Sequence, residues 1–249
     1  MKAVILVAGY ATRLYPLTLN MPKALLEVQG KKIIDYIVEQ INAVEDVDGI
    51  YVVSNHKFAS HFEEWAESAH AKAPVKVVDD GTTNEENRRG AIGDISYVLE
   101  EEMIDDEVVV IAGDNLFTFE LARYYEYYKK TGTDCVCVKR INDKEALKQF
   151  GVALLDENNL VTELVEKPRE PKSDCVVFAT YMYKKDTIPL FRRYLDEGNK
   201  PDAPGYFVEW LCKIRPVHAY VMDGECYDIG TPAAYEQAQK LVLAKRGKA

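Results

Sequence analysis

Short apolar runs alternate with segments of helical periodicity through the first 140 residues. The first run, at 3–8, is almost continuously apolar and ends at Gly9, which is typical of a strand buried on both faces. Further strands are predicted at 49–54, 75–78, 108–112 and 134–138. Helices are predicted between them, at 31–44, 59–71, 90–102 and 119–130. This alternation predicts a parallel sheet covered by helices on both faces, with ligands at the carboxyl ends of the strands.

The pattern changes after about residue 145. Two apolar runs, at 151–155 and 160–166, flank a polar turn and predict a β-hairpin. The remaining predicted elements are a strand at 176–183, a helix near 187–195, a strand at 217–221 and a final helix at 232–245. We therefore expect an α/β protein with a Rossmann-like, mostly parallel mixed sheet, helices on both faces and an inserted β-rich half. The expected organisation is a single domain, 1–249, with halves at about 1–145 and 146–249.

Composition narrows the classes of partner. The chain has 249 residues, a net charge of −10 and 47% apolar residues, so it is long and apolar enough to fold without a metal or disulfide staple. The acidic balance argues against nucleic acid and anionic membranes as partners. An odd count of five cysteines, without a CxxC pair, and the absence of a signal-peptide pattern favour a cytoplasmic protein.

The first motif with candidate chemistry is the turn after the first strand. Gly9 ends the strand, and a glycine there lets backbone N–H groups approach a phosphate closely. Arg13 and Lys23 follow and would add positive charge to a cleft of an otherwise acidic protein. The turn is neither a Walker P-loop nor a dinucleotide fingerprint, because GxxxxGK[ST] and GxGxxG are both absent. Alone, it is equally compatible with a purely structural tight turn.

Two aspartates occupy turns where they would face a ligand. Asp114 follows the strand at 108–112, and Asp228 precedes the last helix. Carboxylates at strand ends suit Mg²⁺, although such residues are more often helix caps or turn formers. Glu166 and Lys167 stand before Pro168, in a pattern that is otherwise common on solvated surfaces.

Together these motifs resemble the NTP:sugar-1-phosphate nucleotidyltransferases, which make nucleotide sugars, with thymidylyltransferases among the similar members. The resemblance extends from residue 3 to about 235. The matching segments, in order, are Ala8-Gly9, Thr12-Arg13-Leu14, Pro22-Lys23, Gly113-Asp114-Asn115, Phe150-Gly151-Val152, Glu166-Lys167-Pro168 and Tyr227-Asp228-Ile229-Gly230-Thr231. Tyr10 and Ala11 depart from the family pattern, which usually has glycine or small residues there.

The resemblance implies transfer of a nucleotidyl group from an NTP to a sugar-1-phosphate, giving an NDP-sugar and pyrophosphate. It assigns Arg13 and Lys23 to catalysis, and Asp114 and Asp228 to Mg²⁺, the expected cofactor. The first half of the chain would bind the nucleotide and the second half the sugar phosphate. The implied nucleotide-binding residues are Ala8, Gly9, Tyr10, Ala11, Thr12 and Gly90. The implied sugar-phosphate-binding residues are Gly151, Glu166 and Lys167.

Other functions stay open at this point. Cytidylyl transfer to a non-sugar phosphate or phosphonate would need a cage for a cationic head group, for which Tyr206, Phe207 and Glu209 are candidates. A nucleotide-sugar sensor without activity should lack a metal aspartate, Arg13 or Lys23, and all are present. The glycine fingerprint of a dehydrogenase is absent from this sequence. The Asp-x-Asp motif of a metal-dependent glycosyltransferase is absent at Gly113-Asp114-Asn115. The expected partners are small molecules, and assembly into a homo-oligomer stays open.

Overall fold

The computed structural model describes residues 1–246, and the side chains of 1–227 and 229–240. The strands are β1 (Lys2–Leu6), β2 (Glu27–Val28), β3 (Lys31–Lys32), β4 (Gly49–Ser54), β5 (Val75–Asp79), β6 (Val108–Ala112), β7 (Asn115–Phe117), β8 (Asp134–Arg140), β9 (Gly151–Leu155), β10 (Val161–Glu166), β11 (Cys175–Tyr183), β12 (Val217–Val221) and β13 (Cys226–Asp228). The helices are α1 (Ile33–Ile41), α2 (Ala59–Ser68), α3 (Ala91–Glu101), α4 (Leu121–Thr131), α5 (Lys144–Leu147), α6 (Ile188–Asp196), α7 (Pro204–Leu211) and α8 (Pro232–Arg246).

One large mixed sheet organises the molecule. The strands β5-β4-β1-β6, all from the first half of the chain, lie in that order and are all parallel, as the βαβ alternation requires. The long strand β11 then pairs antiparallel with β6 and β8 and with the hairpin strand β9, while β12 runs parallel to β8. β11 therefore joins the two halves of the chain into one sheet.

Each face of the sheet carries its own hydrophobic core, because successive side chains of a strand point to opposite faces. Ala3 and Ile5 of β1 pack in one core with the apolar faces of α1, α2 and α4. Val4 packs in the other core with α3, α6 and α7. The cores leave the carboxyl ends of β1, β5 and β6 uncovered, and the loops after them meet there.

The α/β fold, its mixed sheet and the helices on both faces agree with the sequence prediction. The helix predicted at 31–44 is shorter in the structure, because Lys31 and Lys32 pair with Glu27 and Val28 in a two-stranded sheet before α1 begins. Helix α7 was not predicted. Within residues 1–246, no helix has both the length and the apolar character needed to cross a membrane.

Candidate active site

A cavity of about 480 Å³ opens at the carboxyl ends of the parallel strands. Its lining combines the turn after β1, the start of α3, the end of β6 and the segment before α7. The sequence-predicted residues that line it are Ala8, Gly9, Tyr10, Ala11, Thr12, Arg13, Lys23, Gly90, Asp114 and Lys167. The volume lies within the range of small-molecule sites. The parallel strands thus place motifs far apart in the sequence around one space.

The turn after β1 holds Ala11 in a left-handed conformation, with φ 48° and ψ 42°. The backbone oxygen of Ala11 accepts hydrogen bonds from the Thr18 hydroxyl at 2.8 Å and from the Leu14 amide at 2.9 Å. These bonds fix the short 3₁₀ helix Thr12–Leu14 that carries Arg13. Ala11 is one of the two residues that depart from the family pattern, and its backbone conformation is one that favours glycine.

We expect Ala11→Gly to stabilise the protein by about 0.5–1 kcal/mol. Relief of the left-handed strain gains about 1–2 kcal/mol, and the greater freedom of glycine in the unfolded chain offsets about half of it. Urea unfolding measures the difference. Ala8→Gly is the matched control: the backbone of Ala8 is not left-handed, so that variant should lose stability. Equal losses in both variants would contradict the strain at Ala11.

Lys23 and Asp114 form an ion pair beside the cavity, with Nζ and Oδ2 2.8 Å apart. The Lys23 side chain is only 10% exposed, whereas that of Asp114 is 41% exposed. Lys23 is held by the 3₁₀ helix Lys23–Leu25, and Asp114 by the end of β6. Arg13 is exposed at the same cavity and has no ion-pair partner among the described side chains.

The backbone brings Asp228 next to Asp114, although the side chain of Asp228 lies outside the described residues. Strand β13 pairs antiparallel with β7, and Asp228 is directly opposite Asn115. The amide of Ile229 lies 3.4 Å from the backbone oxygen of Asp114, and Gly230 lines the cavity. Among the described side chains no group of three or more metal-ligating residues forms. A metal held here by Asp114 and a second carboxylate would complete its coordination with substrate or water oxygens, as Mg²⁺ commonly does.

Glu166 is half-buried and does not line the cavity, whereas its neighbour Lys167 does. A Cβ on Gly205 would lie 1.9 Å from Glu166 Oε2, and one on Gly151 2.8 Å from it, so both glycines make room for this carboxyl group. Its burial raises the pKa of Glu166, Lys167 opposes that shift, and Glu209 adds to it. The backbone of Lys167 is left-handed, with φ 50°, and its amide donates to the Phe150 oxygen at 3.1 Å.

The segment before α7 closes the cavity against α3. The amides of Ala91 and Ile92 donate to the backbone oxygens of Asp202 and Pro201, at 2.9 and 2.8 Å. A Cβ on Gly90 would lie 2.6 Å from the Pro201 oxygen, and the φ of Gly90 is 78°. Glycine is therefore required at position 90 for a contact between the two halves of the chain. The first two amides of α3 are already hydrogen-bonded.

Two carboxyl groups meet in the wall formed by β5 and α3. Asp80 is 1% and Asp94 6% exposed, and both line the cavity. The backbone amide and hydroxyl of Thr82 donate to Asp80 Oδ1 at 2.6 and 2.7 Å. Burial, followed by the nearby negative charge of Asp80 and a hydrogen bond with it, raises the pKa of Asp94 to about 8, although Arg89 opposes the shift. Sequence reasoning missed this pair, because the two aspartates belong to different elements and only the fold brings them together.

None of the three candidates for a cage around a cationic head group, Tyr206, Phe207 and Glu209, lines the cavity. Phe207 is fully buried in the core, with its ring stacked 3.9 Å from that of Phe191. Ala203 and Pro204 line the cavity instead. Of the two alternatives for Phe207, a pocket wall or core packing, the structure shows core packing.

Comparison with known proteins decides the family. The family model described as nucleotidyl transferase matches residues 2–245. The chain belongs to this family. The α/β architecture and the cavity at the strand ends of this nucleotidyl transferase family member agree with that assignment.

Its relatives act on sugar phosphates, according to their names. A protein of Sulfolobus acidocaldarius, named provisionally as a mannose-1-phosphate guanyltransferase, is 31% identical over 94% of this chain and 61% of its own length. A UTP–glucose-1-phosphate uridylyltransferase of Haloferax volcanii is 25% identical and covers 96% of both chains. The chain spans between about half and two thirds of the length of several curated relatives.

The fold is also that of a solved structure. A UDP-glucose pyrophosphorylase complexed with UDP-glucose superposes with a TM-score of 0.83 over 98% of each chain, at 21% identity. At this identity the likeness concerns the fold alone. It places the mixed sheet of this family member in the Rossmann-like architecture of the nucleotidyltransferases.

Proposed function

We propose that the protein transfers a nucleotidyl group from an NTP to a sugar-1-phosphate, releasing an NDP-sugar and pyrophosphate. An oxygen of the sugar phosphate attacks the α-phosphorus in line, the bond between the α-phosphorus and the bridging oxygen breaks, and pyrophosphate leaves. The family membership and the names of the relatives support this reaction. The alternative acceptor, a cationic non-sugar phosphate, is less well supported because none of the cage candidates Tyr206, Phe207 and Glu209 lines the cavity.

The observation that carries the proposal is that three cations from distant segments of the chain meet at one cavity. Arg13, Lys23 and Lys167 line it, together with acidic side chains that include Asp114. Both substrates are polyanions, so the main tasks are to neutralise their charge and to align them. No general base is needed, because the attacking phosphate oxygen is already ionised at neutral pH.

We assign one role to each cation. Arg13, exposed on the turn after β1, neutralises the departing pyrophosphate. Lys23, held rigidly at the end of β6 by Asp114, neutralises the α-phosphate region. Lys167 contacts the sugar phosphate from the opposite half of the chain, and Glu166 accepts hydrogen bonds from sugar hydroxyls. Fixed positions for these charges lower the reorganisation needed in the transition state.

Asp114 and Asp228 fit an oxygen-binding cation. The Asp114 carboxylate is exposed at the end of β6, and strand pairing brings the backbone of residue 228 beside Asn115; carboxylate oxygens are the ligands that Mg²⁺ prefers. When bound there, Mg²⁺ would stabilise the charge on the oxygens of both reactants. Lys23 Nζ, 2.8 Å from Asp114 Oδ2, orients this carboxylate.

Pyrophosphate release from a substrate panel tests the proposal. The purified protein is incubated with Mg²⁺, each of ATP, CTP, GTP, UTP and dTTP, and each of several sugar-1-phosphates, with phosphocholine and aminoethylphosphonate as further acceptors. We expect release that depends on one sugar-1-phosphate. Release only with a non-sugar acceptor, or none with any acceptor from a folded protein, would contradict the proposal.

A prediction for the sugar side concerns Gly205. A methyl group there would occupy the place of the Glu166 carboxyl oxygen, 1.9 Å away, and displace the flexible end of that side chain. We expect Gly205→Ala to raise the KM for the sugar-1-phosphate by about 10–100-fold, because buried hydrogen bonds to the substrate are lost. The KM for the NTP should stay within about threefold, because Glu166 is proposed to bind the sugar and not the nucleotide. Steady-state kinetics with each substrate varied in turn measures both.

Two further variants test the cause of that effect. Gly151→Ala places its Cβ 2.8 Å from the same oxygen, so the KM should rise in the same direction but less. Gly49→Ala meets mainly the flexible side chain of Lys2, far from the cavity, and should leave both KM values unchanged. Equal effects on the KM in all three variants would show that Glu166 does not bind the sugar.

A further inference from the structure

The acidic pair Asp80–Asp94 lies on the side of the cavity away from the proposed metal ligands. Asp80 follows β5, and Asp114 follows β6, three strands away in the order β5-β4-β1-β6. Neighbouring strands are about 4.8 Å apart, so the two strand ends are separated by about 14 Å. That distance suits a nucleotide with its phosphates near Asp114 and its base near Asp80 and Asp94. Gly90 and Tyr10 line the same part of the cavity.

Part of the hydrogen bonding of the two carboxyl groups takes place within the protein. Asp80 Oδ1 already accepts two hydrogen bonds from Thr82. Asp94 Oδ1 is fully buried, and no donor reaches it within the described part of the chain. The two carboxyl groups lie within hydrogen-bonding reach of each other, and a bond between two carboxyl groups requires a proton. One proton shared between the two carboxyl groups leaves their other oxygens as acceptors for a ligand.

The two arginines near this wall already have partners within the protein. Arg88 is occupied by ion pairs with Glu85 and Asp202, at 2.7 and 3.1 Å. Arg89 donates to the backbone oxygen of Asp80 at 2.7 Å, and its guanidinium lies over the Tyr97 ring. A base that presents N–H groups to this wall gains hydrogen bonds, whereas a carbonyl oxygen in the same place meets another acceptor and loses its hydration.

We propose that Asp94, joined to Asp80 by a shared proton, is a specificity-determining residue that accepts a hydrogen bond from an amino group of the substrate base. This inference rests on the proposed function and names its nucleotide class. Cytosine, guanine and adenine carry an exocyclic amino group, whereas uracil and thymine have carbonyl oxygens. The site therefore selects an amino-bearing triphosphate over UTP and dTTP.

Direct binding of nucleotides tests the inference without requiring turnover. Calorimetric titration of the wild-type protein with CTP, UTP, GTP, ITP, ATP and dTTP in the presence of Mg²⁺ gives the order of affinity. We expect the tightest ligand to carry an amino group and to bind at least about tenfold tighter than its counterpart without that group, a factor typical of one lost hydrogen bond in a buried site. The pairs are CTP and UTP, GTP and ITP, ATP and ITP.

Two variants of Asp94 connect the preference to this residue. In Asp94→Asn the amide N–H donates to Asp80 in place of the shared proton and the amide oxygen still faces the base, so the preference should stay within about threefold of the wild type. Asp94→Ala removes the acceptor, and the preference should fall to about threefold or less. The wild-type titration alone can contradict the inference, so the test remains valid even if a variant fails to fold.

The outcomes separate this inference from the proposed function. Tightest binding of UTP or dTTP, or an unchanged preference in Asp94→Ala, overturns the role of Asp94 while nucleotidyl transfer stands. An amino preference without pyrophosphate release from any NTP overturns the proposed function and supports the inference about the base. Binding of none of the nucleotides overturns both.

Discussion

The variant Asp114→Asn is expected to lower the rate constant for nucleotidyl transfer by at least about 10²–10³-fold. The carboxylate charge at the end of β6 is lost, and with it one of the two proposed ligands of Mg²⁺, a cation whose stabilisation of the transition state is worth several kcal/mol. The neighbouring Lys23 also loses the carboxylate at 2.8 Å that orients it. Single-turnover measurement of NDP-sugar formation at saturating Mg²⁺ and substrates gives the rate constant directly.

A second ion pair of the same kind is the control for Asp114. Lys2 Nζ and Asp48 Oδ2 are 2.9 Å apart at the opposite end of the sheet, where β1 begins. Asp48→Asn should lose a small part of its stability, within about 1 kcal/mol, and keep its full rate constant. If Asp114→Asn retains a rate constant within tenfold of the wild type and the protein is folded, Asp114 is not a metal ligand in this reaction.

The variant Lys23→Met is expected to lower kcat/KM for the NTP by about 10²–10³-fold, because a fixed positive charge in a sheltered site is removed while the apolar stem is kept. The Lys23 side chain is 10% exposed, so water replaces the lost ammonium group only in part. Steady-state kinetics at varied NTP concentration measures the loss. Lys2→Met, which breaks the control pair, should leave kcat/KM unchanged.

The double variant Lys23→Met/Asp114→Asn tests whether the two residues act together. Groups that act as one unit lose most of their effect with the first substitution, so the combined loss should be much smaller than the product of the single losses. A combined loss equal to that product would show independent roles. Circular dichroism and urea unfolding of all the variants establish that the comparison concerns folded proteins.

Local patterns predicted the fold to a large extent. The strands β1, β4 and β6 are mostly buried apolar runs, and the helices between the strands repeat at helical spacing, so type and order could be predicted from neighbours in the sequence. The parallel arrangement follows from that alternation, and it determines which strand ends meet. Arg13, Lys23 and Asp114 were therefore predictable as neighbours at one cavity.

The features that were missed depend on contacts between distant segments. The aromatic residues of helix α7 are compatible, from sequence alone, with a pocket wall as well as with the core. Packing against Phe191 places Phe207 in the core. Gly90 is required by the Pro201 oxygen, more than 100 residues later in the chain. The acidic pair arises because the start of α3 packs against the end of β5, and nothing near Asp94 in the sequence indicates Asp80 as its partner.

Phosphorus NMR of one reaction mixture tests the central claim most directly. The wild-type protein, Mg²⁺, the preferred NTP and the preferred sugar-1-phosphate are followed in one tube, with Asp114→Asn in a second. We predict that the signals of a diphosphate diester and of pyrophosphate grow in equal amounts as those of the NTP and the sugar-1-phosphate disappear, and that the Asp114→Asn sample stays unchanged over the same time. Formation of NDP and inorganic phosphate without the diester, or equal product in both tubes, would contradict nucleotidyl transfer at this site.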